Sequence, residues 1–174
     1  MNAAAIAQRL RVAPSMVEGL IAGVSAEDAR WRPANGAWSI VEVVCHLADE
    51  EAEDFRVRLE STLRDPVAPW APLDLDRVSE RRGYIERDLR EAALLFSERR
   101  ADNLRWLRGE LESGPDWSRA YVHPKIGPIP AASLLASWAA HDALHLRQIA
   151  KRLYDLANRD GAGASTAYAG EWSA

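Results

Sequence analysis

The amino-acid sequence predicts an all-α fold, a four-helix bundle with long connections between its helices. Four long segments carry apolar residues at helical spacing, joints rich in proline and glycine separate them, and strand signals are nearly absent. Helices of roughly 20 to 30 residues are on the order of 30 to 45 Å long, which suits a bundle whose core lies along the facing sides. The first three connections exceed the usual length of about 2 to 8 residues. They therefore indicate a site at one end of the bundle, beneath these loops.

The first two helices are predicted from apolar periodicity and, for the second, from a capping motif. Residues 2–22 place their apolar side chains on one face, and Pro14 within them predicts a kink. Ser39 and Glu42 form an S-x-x-E capping box at the start of the second helix. That helix is predicted to continue to about Arg64, because the prolines of "DPVAPWAP" cannot extend it.

The third and fourth helices are predicted from the same periodicity. The third spans roughly residues 80–112 and ends at "ESGPDW". The fourth begins near Pro130, a residue that suits the first turn of a helix, and ends around Arg159, before two glycines. These helices complete a single predicted domain over residues 1–160.

Composition favours a soluble cytoplasmic protein of one domain. The chain has 174 residues, is 48% hydrophobic and 28% charged, and carries 22 basic against 26 acidic side chains. We expect no nucleic-acid partner, because no basic run with interleaved aromatic residues is present, and no membrane span, because no apolar run reaches about 18 residues. Cys45 is the only cysteine, which excludes an intrachain disulfide. Residues 161–174 are predicted to form a flexible tail, in which Trp172 alone suggests docking onto the domain.

Two histidines in the run "WAAHDALHLRQ" are candidate metal ligands. His141 and His145 are four residues apart, so on a helix both face the same side, with Cβ atoms about 5 to 6 Å apart. That distance allows both rings to bind one metal ion. The alternative is a pair of hydrogen-bonded histidines at the edge of the core, and the spacing alone does not decide between the two.

The second helix supplies a possible third ligand and a buried carboxylate. His46 borders the apolar face of that helix, and Glu51 lies within the face. A carboxylate among apolar residues needs a partner, which is either Arg58 on the same face or the N–H of a metal-binding histidine. Asp142, which also faces inward on the fourth helix, allows the same two interpretations. Glu51 and Asp142 are thus either supports for the histidines or members of buried ion pairs.

These motifs resemble the DinB-like superfamily of bacterial four-helix bundles, a group that includes metal-dependent hydrolases and bacillithiol S-transferases. The resemblance rests on "WSIVEVVCHLADEEAEDFRVRL", "GYIERDLREAALLFSERRADNLRWL", "VHPKIGPI" and "WAAHDALHLRQIA", in that order, over residues 30–152. It implies a three-histidine site formed by His46, His141 and His145 for a divalent metal ion, with nickel, zinc, iron and manganese all possible. A homodimer is a further implication of the family.

The resemblance implies one of two reactions, hydrolysis of a small-molecule substrate or transfer to a low-molecular-weight thiol. The alternative is a non-catalytic, stress-related protein that binds a metal or small ligand. Glu50, one turn after His46, is the candidate base, although we favour a solvated carboxylate within the acidic run "DEEAED". His123 in "VHPKIGP" lies either at the mouth of the site or in a loop hydrogen bond.

A different metal motif deserves comparison. "HDALH" resembles the H-E-x-x-H helix of zinc proteases, with aspartate in place of the glutamate. The shorter side chain would misplace the base, and only Glu171 in the tail follows as a possible third ligand. We therefore disfavour this interpretation.

Overall fold

The computed structural model describes residues 1–73 and 77–172, and its long helices form the predicted four-helix bundle. The last two residues of the predicted tail lie outside the described residues. The described part contains seven α-helices and two short strands, which are α1 (Ala3–Ile21), α2 (Ala26–Arg30), α3 (Ile40–Glu53), α4 (Phe55–Arg64), α5 (Val78–Arg81), α6 (Leu89–Ser113), β1 (Ala120–His123), β2 (Gly127–Pro130) and α7 (Ala131–Asp160), together with 3₁₀ turns at Tyr84–Glu86 and Ala167–Ala169.

The second predicted helix begins where the capping box placed it but is divided in two. Ser39 caps α3, and the Glu42 carboxylate accepts a hydrogen bond of 2.9 Å from the Ser39 backbone N–H. The helix breaks at Asp54, whose φ of −119° and ψ of −90° are not helical, and resumes as α4. The prediction of one continuous helix to Arg64 was therefore wrong at one residue. Pro14 lies within α1, which continues through it as one helix. The kink at Pro14 stays a prediction.

The third helix starts later than predicted, and a short hairpin precedes the fourth. Gly83, with a φ of +61°, ends the segment after α5, and the Asp88 carboxylate accepts hydrogen bonds from two backbone N–H groups at the start of α6. The start predicted near residue 80 was wrong because these two residues separate a short helix from the long one. Strands β1 and β2 pair antiparallel, which the sequence patterns did not indicate. Pro130 directly precedes α7, as predicted.

Two pairs of consecutive long helices lie diagonally across the bundle, α1 with the α3–α4 segment and α6 with α7, whereas the α3–α4 segment and α6 are neighbours. Helix α1 packs between α6 and α7, and the α3–α4 segment packs against the same two helices on the opposite side. The connections from α1 to α3 and from α6 to α7 must therefore cross the end of the bundle. Their length follows from this topology, because a diagonal crossing is longer than a turn between neighbouring helices.

A buried polar layer separates two apolar cores. One core contains the C-terminal half of α1 with most of α3 and the start of α6, and the other contains the N-terminal half of α1 with α4 and the start of α7. Between them, the Arg100 guanidinium donates hydrogen bonds to Glu51 of α3, Asp142 of α7 and the Leu10 carbonyl of α1. Arg100, which is only 1% exposed, thus connects all four long helices of the bundle.

The C-terminal segment contacts α7 through one aromatic residue. The Trp172 ring centroid lies 5.6 Å from that of Tyr154 and 5.9 Å from the Lys151 ammonium. Flexibility of the segment from residue 161 onward remains a prediction. None of the described helices has an apolar stretch long enough to cross a bilayer.

Candidate metal centre

The structure brings the three predicted histidines together. His46 comes from α3, and His141 and His145 come from successive turns of α7. Each histidine offers one ring nitrogen as a ligand, and these three nitrogens lie within 4.8 Å of one another. The Nε2 atoms of His141 and His145 are 2.9 Å apart. The ring centroid of His46 is 4.8 Å from that of His145 and 5.4 Å from that of His141. The site thus joins α3 and α7, because His46 is 95 positions from His141 and 99 positions from His145 in the sequence.

Aromatic side chains pack against the histidine rings. Trp38, which precedes the cap of α3, meets His46 edge-on at 5.2 Å between ring centroids. Phe55 follows the break at Asp54, and its ring centroid lies 4.9 Å from that of His141. The break between α3 and α4 therefore places an apolar ring beside the site, where it restricts the movement of the imidazole.

Gln148 orients one of the histidines, a role that the sequence patterns did not reveal. Its Oε1 atom lies 2.7 Å from Nδ1 of His145, and an amide oxygen can only accept a hydrogen bond. His145 therefore carries its hydrogen on Nδ1, and the lone pair of its Nε2 faces His141. Gln148 lies three residues after His145 on α7, which is the spacing that would have indicated the contact.

The three imidazoles are neutral at physiological pH. Burial and, to a smaller extent, the neighbouring His145 together lower the pKa of His46 to about 4. Burial, with the charges of His145, His46 and Arg100, lowers the pKa of His141 to about 3. Burial also lowers the pKa of His145, against the effect of its bond to Gln148. Neutral imidazoles offer the free lone pairs that a metal ion requires.

The geometry of the three rings fits a divalent transition-metal ion. Two nitrogen lone pairs repel one another at 2.9 Å, so a proton or a cation must lie between His141 and His145. Two nitrogens that are each about 2.05 Å from one ion are about 2.9 Å apart when the angle at the ion is near 90°. Imidazole nitrogen is a common ligand of zinc, nickel, copper and iron. The donor set fits such ions, and three protein ligands leave positions open.

Glu50 lies beside this cluster and is buried, whereas the favoured sequence interpretation was a solvated carboxylate. It is 6% exposed, and its Oε1 is 3.8 Å from Nδ1 of His46. Burial and, to a smaller extent, the contact with Asp54 together raise the pKa of Glu50 to about 8. Glu50 and His46 line a cavity of about 310 Å³, which is large enough for a small substrate.

Glu51 and Asp142 belong to the buried polar layer. Both carboxylates accept hydrogen bonds of 2.7 to 2.9 Å from Arg100. This is the ion-pair alternative for both residues, but the partner suggested for Glu51 was wrong, since Arg58 pairs with Asp54 at 2.7 Å. Arg100 could not be recognised from sequence, because its partners are 42 and 49 residues away.

The polar layer nevertheless touches the histidines indirectly. The Trp138 indole N–H donates a 2.7 Å hydrogen bond to Glu51. The Trp138 ring stacks on that of Phe55, with 6.0 Å between the ring centroids. Phe55 in turn packs against His141. Contacts therefore run from the buried ion pairs to the candidate metal centre through two aromatic rings.

The two remaining candidates lie in other settings. His123 ends β1, and its Nδ1 accepts a hydrogen bond from the Lys125 backbone N–H, which corresponds to the loop role. Glu171 is exposed in the C-terminal segment. Within the part of the chain that the structure describes, the group of potential metal ligands consists of His46 and the two histidines of α7.

Comparison with known proteins agrees with this architecture. The family model of the DinB superfamily matches residues 9–149. No curated protein matches the sequence. Among solved structures, the chain is similar to YfiT from Bacillus subtilis, described as a probable metal-dependent hydrolase with an unusual four-helix bundle topology, with a TM-score of 0.69, 21% identity and 87% of each chain covered. At this identity the likeness establishes a common fold.

Proposed function

This chain belongs to the DinB superfamily, and from that premise we propose that it is a metal-dependent hydrolase of a small-molecule substrate. In this proposal His46, His141 and His145 bind one divalent ion, with zinc, nickel, iron or manganese as candidates. The observation that carries the proposal is the convergence of three neutral imidazoles within 4.8 Å beside a cavity of about 310 Å³. The description of YfiT as a probable metal-dependent hydrolase supports the same reaction class.

The chemistry follows from the ligand set and from the cavity. His46, His141 and His145 would hold the divalent ion, which would supply Lewis-acid chemistry to polarise a substrate carbonyl and activate a water. Gln148 keeps the hydrogen of His145 on Nδ1, so that Nε2 remains free as a ligand. Trp38 and Phe55 hold two of the rings and exclude water from their sides.

Glu50 is the residue that we propose as the general base. Its carboxyl group lines the cavity one turn after His46 and is shielded from solvent. From this position its Oε1 can accept a proton from the attacking water and return it to the leaving group. A cation in the neighbouring site favours the ionised form of Glu50, which is the form that a base requires.

The histidine cluster is tested by metal analysis of the protein purified without a histidine tag. We expect about one divalent ion per chain in the parent protein, and loss of that ion in His145→Ala without loss of helical circular dichroism. His123→Ala is the matched control, because His123 lies in the hairpin, and it should retain the metal. Stoichiometric metal in His145→Ala would overturn the ligand assignment.

The reaction class is tested with a panel of activated esters and amides, assayed with and without a neutral chelator. We expect metal-dependent hydrolysis that falls by about 10²- to 10⁴-fold in Glu50→Gln while metal content is unchanged. Glu60→Gln on α4 is the control, since Glu60 pairs with Arg64 outside the cavity. Turnover that requires an added thiol would instead assign S-transfer, and metal binding without turnover of any substrate would favour the non-catalytic alternative.

A further inference from the structure

A second cavity adjoins the candidate metal centre. It has a volume of about 610 Å³ and lies between α3, the start of α6 and the segment from α5 to Asp88. Asp49, Arg82 and Tyr84 line both this cleft and the cavity that contains His46 and Glu50. The two cavities are therefore neighbours that share one wall.

The shared wall is fixed by hydrogen bonds to one carboxylate. Asp49 accepts bonds from Arg82 at 2.5 Å, Tyr84 at 2.7 Å and Arg99 at 3.0 Å. Burial raises the pKa of Asp49, but these donors outweigh burial and keep the pKa below its usual value, so the group is ionised. Arg82 is held a second time by Glu53, at 2.8 Å for each of two bonds. The guanidinium groups along this wall are thus positioned before any ligand binds.

Four arginines line the cleft, namely Arg81, Arg82, Arg87 and Arg99, against the carboxylates of Asp49, Asp88 and Glu91. Asp49 is occupied by the donors of the shared wall, and Asp88 accepts two backbone N–H bonds at the start of α6, at 2.8 and 3.0 Å. Both oxygens of Asp49 and Oδ1 of Asp88 are therefore bound within the protein, and the cleft carries four guanidinium groups against three carboxylates.

Arg87 is the arginine with the most capacity for a ligand. Within residues 1–73 and 77–172 its guanidinium forms no ion pair, although it lines the cleft. Its backbone is nevertheless anchored, because Arg30 donates hydrogen bonds to the carbonyls of Ile85 at 3.1 Å and of Arg87 at 3.2 Å. A guanidinium on a fixed backbone, with its donors unused, is suited to bidentate binding of a carboxylate.

We propose that this cleft binds a carboxylate of the substrate, with the carboxylate at Arg87 and Arg99 and the reactive bond in the adjoining cavity beside His46 and Glu50. For the reactive bond of the substrate, the proposal rests on the proposed hydrolase function. For the carboxylate of the substrate, it rests on the cleft alone. The substrate class is accordingly an ester or amide of a molecule that also carries a free carboxylate.

The cleft is tested by titrating the full-length protein with glutarate, a dicarboxylate, and with glutaramide, its uncharged counterpart. The titration is repeated after treatment with 1,10-phenanthroline, an uncharged chelator, so that binding to a metal ion is separated from binding to the cleft. We expect glutarate to bind and glutaramide not to bind. Arg87→Gln should lower the affinity for glutarate about tenfold. Arg108→Gln on the exposed side of α6 is the matched control and should bind as the parent does.

A second measurement connects the cleft with turnover. For the p-nitrophenyl monoester of glutaric acid, Arg87→Gln is expected to raise KM about tenfold with little change in kcat, whereas KM for p-nitrophenyl pentanoate stays unchanged. Equal binding of glutarate by the parent and Arg87→Gln would overturn the proposal, as would binding of inorganic phosphate in place of glutarate. Since the titration does not depend on turnover, glutarate binding without hydrolysis of this ester or of any substrate in the panel would sustain the cleft and refute the hydrolase.

Discussion

Replacing Arg100 with methionine is expected to lower the free energy of unfolding by about 3 to 5 kcal/mol. The Arg100 guanidinium donates five hydrogen bonds, two to Glu51, two to Asp142 and one to the Leu10 carbonyl, at 2.7 to 2.9 Å. Methionine matches the apolar stem of arginine but has no guanidinium and no donor, so the substitution leaves two carboxylates buried without their cation. Protonation of those carboxylates limits the loss, which is why it is smaller than the sum of five charged hydrogen bonds.

Arg100 acts both as the charge partner of the two carboxylates and as a hydrogen-bond donor. This double role predicts which further substitutions restore the free energy of unfolding that Arg100→Met loses. In Arg100→Met/Glu51→Gln/Asp142→Asn the carboxylates are uncharged, and Gln at position 51 can still accept the Trp138 indole N–H. We expect this triple variant to recover most of the lost stability, because replacing a whole buried ion cluster costs far less than removing one member. Arg105→Met is the control, since Arg105 lies on the same helix, is 71% exposed and pairs with Asp102 at the surface.

The assay is urea unfolding followed by circular dichroism, with thermal unfolding as a second probe. A loss of 3 to 5 kcal/mol corresponds to a decrease in Tm of roughly 6 to 20 °C for a domain of this size. Arg105→Met should show little or no change. A loss below about 1 kcal/mol in Arg100→Met, or a triple variant no more stable than the single one, would refute the assignment of Arg100 as the partner of both carboxylates.

Three further predictions concern the metal centre and the cap of α3. Gln148→Leu is expected to weaken zinc binding about 10- to 100-fold, measured in competition with a chromophoric chelator. Gln148→Glu keeps an acceptor for the His145 N–H and should bind zinc at least as well as the parent protein. Equal zinc affinity of all three proteins would contradict the orienting role of Gln148. A saturating metal ion at 100 times its Kd should raise the stability by about 2.7 kcal/mol, and the accompanying increase in Tm should be absent in His145→Ala. Burial raises the pKa of Glu42, but bonds from Arg32, Ser79 and Ser39 outweigh burial and lower the pKa to about 2, from 4.5 when exposed. Stability from this carboxylate is therefore complete above about pH 4.5 and disappears as the pH falls towards 2. The free energy of unfolding of Glu42→Gln should therefore depend less on pH over that interval, by about 3 kcal/mol, and an identical dependence would exclude the interaction.

The long helices could be predicted because each leaves a periodic apolar pattern and a local start signal. Ser39 and Glu42 lie three residues apart, so the capping box is visible in the sequence itself. The break at Asp54 has no such signal, because neither proline nor glycine occurs there. The start of α6 did have one, since Gly83 and Asp88 are a turn residue and a cap, but the helical pattern that continues on both sides obscured it.

The candidate site could be predicted from local helical patterns and from the resemblance of the motifs to the DinB-like superfamily. His141 and His145 are placed by spacing alone, and His46 by its position on an apolar face. The burial of Glu50 depends instead on how α3 packs against other helices, and an acidic run such as "DEEAED" suggests the opposite. Arg99 and Arg100 are adjacent in sequence, yet the first lines the cleft and the second connects the whole bundle. Such differences arise from tertiary contacts, which local patterns do not contain.

The proposed ion-binding and substrate-binding parts of this protein lie on different segments. The histidines lie on α3 and α7, whose positions are fixed by the buried layer around Arg100. Arg81, Arg82 and Arg87 lie on the connection before α6, which is attached to α3 through the bonds of Ser79 to Glu42 and of Tyr84 to Asp49. Substitutions in this connection can therefore change the preferred substrate while the metal affinity stays constant. Substitutions in the buried layer should instead change stability and metal affinity together, since Trp138 and Phe55 connect that layer to His141.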